Sequence, residues 1–322
     1  MGTCLTETIT SAMIVDVSET QLRDEIYSQP DCWSRAVSLA AGDSPHYASR
    51  LPAPGERVGV IGAGTSLYIA RAYAFLREHA GQGITDAWPV SEARLNRDYD
   101  RIVAITRSGT TTEILTAIDQ YRETGGTAPV TIITATPDTP VQDKGDTITL
   151  AEFDEVSVVQ TRFATSTLAL LRAHLGEDLT TAIAQAREIL AASPADLARS
   201  LDGVRAAGQV TFVGMGLGAA LAEEAALKLR EATQSWAEAY PATEYRHGPI
   251  SIAQPGRAVW SLGPLVPGFE RDIAATGAHL EHRDTDPMAE LVRVHLLCLL
   301  RAADLGLDPA NPRNLTRAVI LA

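Results

Sequence analysis

A strand, a Gly-x-Gly turn and an amphipathic helix occur twice in this chain, about 150 residues apart: GVIGAGTSLYIARAYAFLRE at 59–78 and TFVGMGLGAALAEEAALKLRE at 211–231. A repeat at so long a period indicates two related α/β units rather than a solenoid. With 322 residues there is enough chain for two hydrophobic cores. The βα rhythm continues around both copies. RVGVIG (57–62), RIVAIT (101–106) and APVTIITA (128–135) are short β-branched runs of the fully buried kind, and DTITL (146–150) reads as an edge strand. Helical spacing is expected at 19–40 with a Pro interruption, and at 65–80, 111–124 and 157–176. After the second copy come AVWSLG (258–263), a helix near 269–277, a strand at 278–283, a helix at 288–305 and an extended tail, 311–322. The expected fold is α/β, with two tandem domains, each a mostly parallel, doubly wound, flavodoxin-like sheet flanked by helices. The expected boundaries are 1–40 for an N-terminal extension (1–12) and helix, 41–177 for the first domain, 178–205 for a connecting helix, and 206–322 for the second domain with its tail.

Charge narrows the partners. Subtracting 40 acidic from 27 basic residues leaves −13, so neither nucleic acid nor an anionic membrane surface is an expected partner. The richest apolar stretch, Leu291 to Leu300, is broken by Arg293 and His295, and the first 15 residues lack the basic and apolar regions of a signal peptide. Three scattered cysteines, Cys4, Cys32 and Cys298, make a disulfide framework unexpected. A cytoplasmic protein is expected.

Two loops follow strands and open helices: GAGTS (62–66) and TRSGTTTE (106–113). Strand carboxyl ends are where open α/β sheets bind ligands, and a helix N-terminus with Gly and hydroxyl side chains suits a phosphate. N-capping explains Ser and Thr at such positions equally well, and for GAGTS it suffices. Five hydroxyls and an Arg within eight residues exceed what one cap needs, so phosphate is the favoured reading of the second loop. A dinucleotide fingerprint fails because position 67 is Leu67, and no GxxxxGK[ST] occurs. A phosphorylated small molecule fits better than NAD or ATP, and no cofactor or metal is expected.

The densest chemistry lies in 221–251, LAEEAALKLREATQSWAEAYPATEYRHGPIS. Glu224, Lys228 and Glu231 share one helix face, which is either an exposed ion-pair ladder or part of a site. His247, followed by Gly248-Pro249, sits in a turn; beside a carboxylate it becomes an acid–base candidate. With these residues in view, the chain resembles the SIS (sugar isomerase) domain family, specifically the isomerase half of glucosamine-6-phosphate synthase. The resemblance rests on ALKLREATQSWAEAY and EYRHGP together with DEIYSQP (24–30), GAGTSLY (62–68), VSEARL (90–95), TRSGTTTE (106–113), SVVQTR (157–162) and PRNLTRAV (312–319).

The resemblance implies two tandem SIS domains and a sugar 6-phosphate ligand. It implies phosphate-binding hydroxyls at Ser66, Thr106, Ser108 and Thr111, with Gly64 and Thr65 in the same loop and Arg107 at an amide-bearing position. It also implies a proton-shuttling Glu231 with Lys228 on the same face, sugar contacts at Val158, Gln160 and Glu244, and Arg317 at the place of a tail lysine. His247 becomes the ring-opening histidine, reaching the neighbouring subunit of a homodimer. No segment resembles a glutaminase domain, so glutamine-dependent transfer is not expected. The expected function is a free-standing isomerase or deaminase acting at C1–C2 of an amino or keto sugar 6-phosphate. Glucosamine-6-phosphate deamination is the first choice and a fructosamine-6-phosphate deglycase the next; a non-catalytic sugar-phosphate-binding regulator is the alternative.

Overall fold

The computed structural model describes residues 21–43, 47 and 49–321; the expected extension 1–12 and Cys4 lie outside them. The first strands form where β-branched residues cluster: β1 (Val58–Gly62), β3 (Arg101–Ile105) and β4 (Val130–Thr134) are almost wholly buried. With β2 (Thr85–Pro89) and β5 (Asp146–Thr149) they make a parallel sheet of order β2-β1-β3-β4-β5. The second sheet holds β6 (Val210–Gly214), β7 (Ala237–Pro241), β8 (Ala258–Leu262) and β9 (His279–His282) in the order β7-β6-β8-β9, again parallel. It repeats the first four positions of the first sheet, so the sequence repeat is a repeat of topology.

Helices flank both sheets. In chain order they are α1 (Gln21–Tyr27), α2 (Gln29–Ser38), α3 (Thr65–His79), α4 (Thr112–Glu123), α5 (Arg162–His174), α6 (Thr180–Leu190), α7 (Pro194–Ser200), α8 (Asp202–Arg205), α9 (Leu217–Thr233), α10 (Phe269–Ala274) and α11 (Pro287–Leu305). One core runs between the sheets. It joins Val58, Val60 and Ile105 of the first to Phe212 and Trp260 of the second through Tyr73 on α3, Leu221 and Leu229 on α9 and Leu297 on α11. Smaller clusters close the outer faces: Ile102 and Ile132 with Ile114 and Ile118 of α4, and Val213 and Val259 with Phe269 and Ile273 of α10. No described helix is long and apolar enough to cross a membrane.

Three expected elements differ. The stretch 178–205 is not one connecting helix but three, because Ser193 accepts a bond from Asp196 N and Pro194 starts a new helix. The helix expected from 157 begins at Arg162. Backbone N–H groups of Val156 and Ser157 bond the Glu25 carboxylate, Val158 N bonds Ala310 O, and Glu155 caps the true start at Thr161 and Arg162. The strands β2 and β7 carry no apolar run and were not expected from TDAWP or AEAYP.

Candidate active site

The two hydroxyl loops sit at the carboxyl ends of β1 and β3, the neighbouring strands at the middle of the first sheet. Gly62 lets helix α3 approach, since a Cβ there would lie 2.5 Å from the Ser66 carbonyl carbon. Gly64, at φ +55°, is the N-cap of α3, so no side chain caps that helix. At the second loop Thr111 occupies the N-cap of α4 without a side-chain capping bond. Thr106 Oγ1 is buried with no hydrogen-bond partner, and Ser108 Oγ accepts from Thr110 N at 3.2 Å. Capping therefore does not account for these hydroxyls. The buried, uncommitted Thr106 hydroxyl in particular is what an oxygen-rich anion can use.

Thr65 and Arg107 turn elsewhere. Thr65 Oγ1 donates to Glu224 Oε1 at 3.1 Å. The Arg107 guanidinium points into the protein, donating to Ser157 O (2.7 Å), Val158 O (3.1 Å) and Arg317 O (3.3 Å), with the buried Glu155 carboxylate 3.6 Å away. Burial pulls the Arg107 pKa down while Glu155 opposes the pull. Placed among the phosphate ligands by sequence, Arg107 is here a strut that holds segment 155–158 and the tail. Five donors on a rigid fork suit it to several backbone carbonyls at once.

The tail crosses the second loop. Thr112 N donates to Val319 O, and Leu321 N donates to Thr112 Oγ1. Arg317 is held by the Asp154 carboxylate at 2.5 Å, by Glu155 O, and by Thr136 Oγ1 at 3.4 Å. Val158 lies in the strut-held segment, and Gln160 Oε1 beside it is buried without a partner.

Helix α9 brings two carboxylates and a lysine together. It packs on α3 and α11, which removes Glu224 and Lys228 from solvent; each is 1% exposed. The exposed-ladder reading therefore fails. Lys228 Nζ lies 2.6 Å from Glu231 Oε2 and 3.5 Å from Glu224 Oε1. Burial alone depresses a lysine, but here the two carboxylates outweigh it and hold the ammonium pKa above its usual value. Burial pushes Glu224 up to about 7 against the pull of Lys228. Glu231 keeps a side chain 19% exposed, so of the three it is the one that reaches solvent. Behind them, burial and the Lys228 charge hold His295 neutral, its pKa lowered to about 3; its Nδ1 lies 3.2 Å from Gln29 Nε2. The sequence reading left Glu224 and His295 without a role; only helix packing makes Glu224 a buried member of the cluster.

Glu244 and His247 lie elsewhere. Both are exposed, in a 3-10 turn (Glu244–His247) after β7. Arg246 fixes that turn through Asp272 (2.9 Å) and Pro267 O (2.7 Å), and Gly248 leaves it at φ +147°. Among the described residues no hydrogen bond or ion pair joins His247 to the hydroxyl loops or to Glu231.

No family model matches the chain. Its sequence is similar to glutamine–fructose-6-phosphate aminotransferase (isomerizing) of Aeropyrum pernix, 28% identical across 92% of this chain and 56% of that protein. The enzyme of the same name from Pyrobaculum aerophilum is 27% identical over the same shares. The chain thus spans about half the length of the curated relatives it matches. Among solved structures it shares its fold with glucosamine-6-phosphate deaminase from Thermotoga maritima (TM-score 0.73, 21% identity, 94% of this chain and 100% of that one). The C-terminal domain of the glucosamine-fructose-6-phosphate aminotransferase from Francisella tularensis also aligns (TM-score 0.77, 19% identity, 91% and 98%). So does tagatose-6-phosphate ketose/aldose isomerase from Escherichia coli (TM-score 0.74, 19% identity, 93% and 97%). The resemblance read from the motifs is borne out: the chain is similar to the isomerase (SIS) part of glucosamine-6-phosphate synthase and has the fold of SIS-type phosphosugar isomerases.

Proposed function

We propose that the chain is a sugar-phosphate isomerase/deaminase acting at C1–C2 of an amino or keto sugar 6-phosphate. In this reading residues 41–177 and 206–322 are tandem SIS domains, with 178–205 between them. The observation that carries it is the buried Glu224–Lys228–Glu231 cluster, bonded directly to the first hydroxyl loop through Thr65. A surface that only bound an anion would gain nothing from a carboxylate, Glu224, buried beside its phosphate loop, because that burial costs desolvation energy.

The chemistry follows from the groups present. Ser66, Thr106, Ser108 and Thr111, with the α3 and α4 N-termini, hold the phosphate. His247 of a second copy takes the anomeric hydroxyl proton and returns one to the ring oxygen, opening the ring. Glu231 takes the C2 proton, holds it as the neutral acid and delivers it to C1, while Lys228 favours the ionised carboxylate before the first step and after the second. With an amino group at C2, as in glucosamine 6-phosphate, the first choice, the resulting ketimine is hydrolysed by water to a ketose phosphate and ammonia. With the nitrogen at C1, as in a fructosamine 6-phosphate, the next choice, the proton moves from C1 to C2 instead and the C1 aldimine is hydrolysed to an aldose phosphate and an amine. Val158, Gln160 and Glu244 are proposed sugar contacts. Arg317, pinned by Asp154, supplies a fixed positive charge for the developing oxyanion and cannot form an imine.

Kinetics of the hydroxyl loop test the ligand class. Ser108→Ala or Thr111→Val should raise KM for the sugar 6-phosphate by about tenfold with kcat little changed, because lost cradle contacts are lost equally from ground and transition states. An unchanged KM, measured for both variants, would remove the phosphate from this loop.

A further inference from the structure

Thr65 stands in the first hydroxyl loop, yet its hydroxyl is already given to a carboxylate: Oγ1 donates 3.1 Å to Glu224 Oε1. Both residues are buried, 3% and 1% exposed. Glu224 Oε1 lies 3.5 Å from Lys228 Nζ, and Lys228 lies 2.6 Å from Glu231. A continuous line of polar contacts therefore runs from the loop proposed to hold the phosphate to the carboxylate proposed to move the proton. Loop and helix are also in van der Waals register, since a Cβ on Gly64 would sit 4.0 Å from Leu227 on α9. The second oxygen of Glu224 is buried with no hydrogen-bond partner, so this carboxylate has an unused acceptor beside the ammonium.

We propose that Glu224 is a positioning residue through which phosphate binding at the first loop sets the Lys228–Glu231 pair, so that the phosphate activates proton transfer as well as anchoring the sugar; this rests on reading the chain as a sugar-phosphate enzyme. A phosphate at the α3 N-terminus fixes the loop backbone and with it the Thr65 hydroxyl. Thr65 then holds Glu224 where it shares the ammonium with Glu231. An ammonium paired to Glu231 alone makes that carboxylate a poor base; sharing it raises the basicity. Part of the binding energy of a remote group is thus used at the reacting carbons.

The groups facing Glu224 are few. Lys228 and Glu231 act on it from its own helix, and Thr65 and Tyr68 face it from α3. From α11, His295 and Cys298 lie within reach of Lys228. Glu224, held at about 7, changes charge inside the working pH range.

The test compares Thr65→Val, which removes the hydroxyl, with Thr65→Ser, which keeps it. On whichever sugar 6-phosphate the wild type turns over, Thr65→Val should lower kcat about tenfold with KM within about threefold, and Thr65→Ser should restore most of it. The acid limb of the kcat profile near pH 7 should move in Thr65→Val and not in Thr65→Ser. With the dephosphorylated sugar, added inorganic phosphite should accelerate the wild type and not Thr65→Val. Glu224→Gln, folded by circular dichroism, gives the same comparison if Thr65→Val is unstable. A raised KM with unchanged kcat would make Thr65 a plain phosphate ligand and overturn the coupling, and so would wild-type kinetics in Thr65→Val. A wild type inactive on every sugar 6-phosphate would overturn the underlying reading instead, and the coupling with it.

Discussion

Replacing Glu231 with Gln is expected to lower turnover by about 10²- to 10⁴-fold, the range of a positioned acid–base group, and to stop exchange of the C2 proton with solvent. The amide keeps the shape and loses the base. Binding should survive, because the hydroxyls proposed to hold the phosphate lie at the ends of β1 and β3, Glu231 lies on α9, and Lys228 retains Glu224 beside it. Proton exchange followed by NMR in D2O, with binding measured separately by calorimetry, separates the two effects. Exchange near the wild-type rate would return Glu231 to being the partly exposed end of an ion pair.

The second large effect concerns assembly. His247→Ala should lose ring opening and with it about 10²-fold or more of turnover on cyclic sugar phosphates. Its imidazole is exposed, with no hydrogen bond or ion pair among the described residues, on a turn locked by Arg246 and Asp272. The proposed function has it act on another copy. In a C2 dimer each of two equivalent sites would take His247 from one subunit and Glu231 from the other. Co-refolding inactive His247→Ala with inactive Glu231→Gln tests this. Random pairing makes half the dimers mixed, each with one intact site of two, so about a quarter of wild-type activity should return. If subunits exchange and nothing returns, each chain builds its own site.

Several of these features were legible in the sequence because they are local. Runs such as VGVIG and VTIIT admit few structures other than buried strands, and the Gly turns after them fix where helices begin. What escaped depended on partners distant in sequence. TDAWP and AEAYP pair only because β1 and β6 offer an open edge. Ser157 to Thr161 stays out of the helix because Glu25, Glu155 and Ala310 take its backbone groups. At the site, i, i+4, i+7 spacing put Glu224, Lys228 and Glu231 on one face, but whether that face meets water is decided by α3 and α11. Likewise Arg107 faces inward because three carbonyls and Glu155 compete for it more closely than solvent does.

The central claim, proton transfer between C1 and C2 of a sugar 6-phosphate, is tested most directly by incubating the wild-type protein in D2O with a panel of aldose, ketose and amino sugar 6-phosphates. Carbon-bound deuterium, ketose formation and ammonia release are read in the same samples. The account predicts that at least one member gains deuterium at C1 or C2 and is converted to the corresponding ketose or aldose phosphate, with ammonia released in equal amount if the substrate carries an amino group at C2. Tight binding of a sugar 6-phosphate with neither deuterium incorporation nor conversion of any member would contradict it and make the chain a sugar-phosphate receptor.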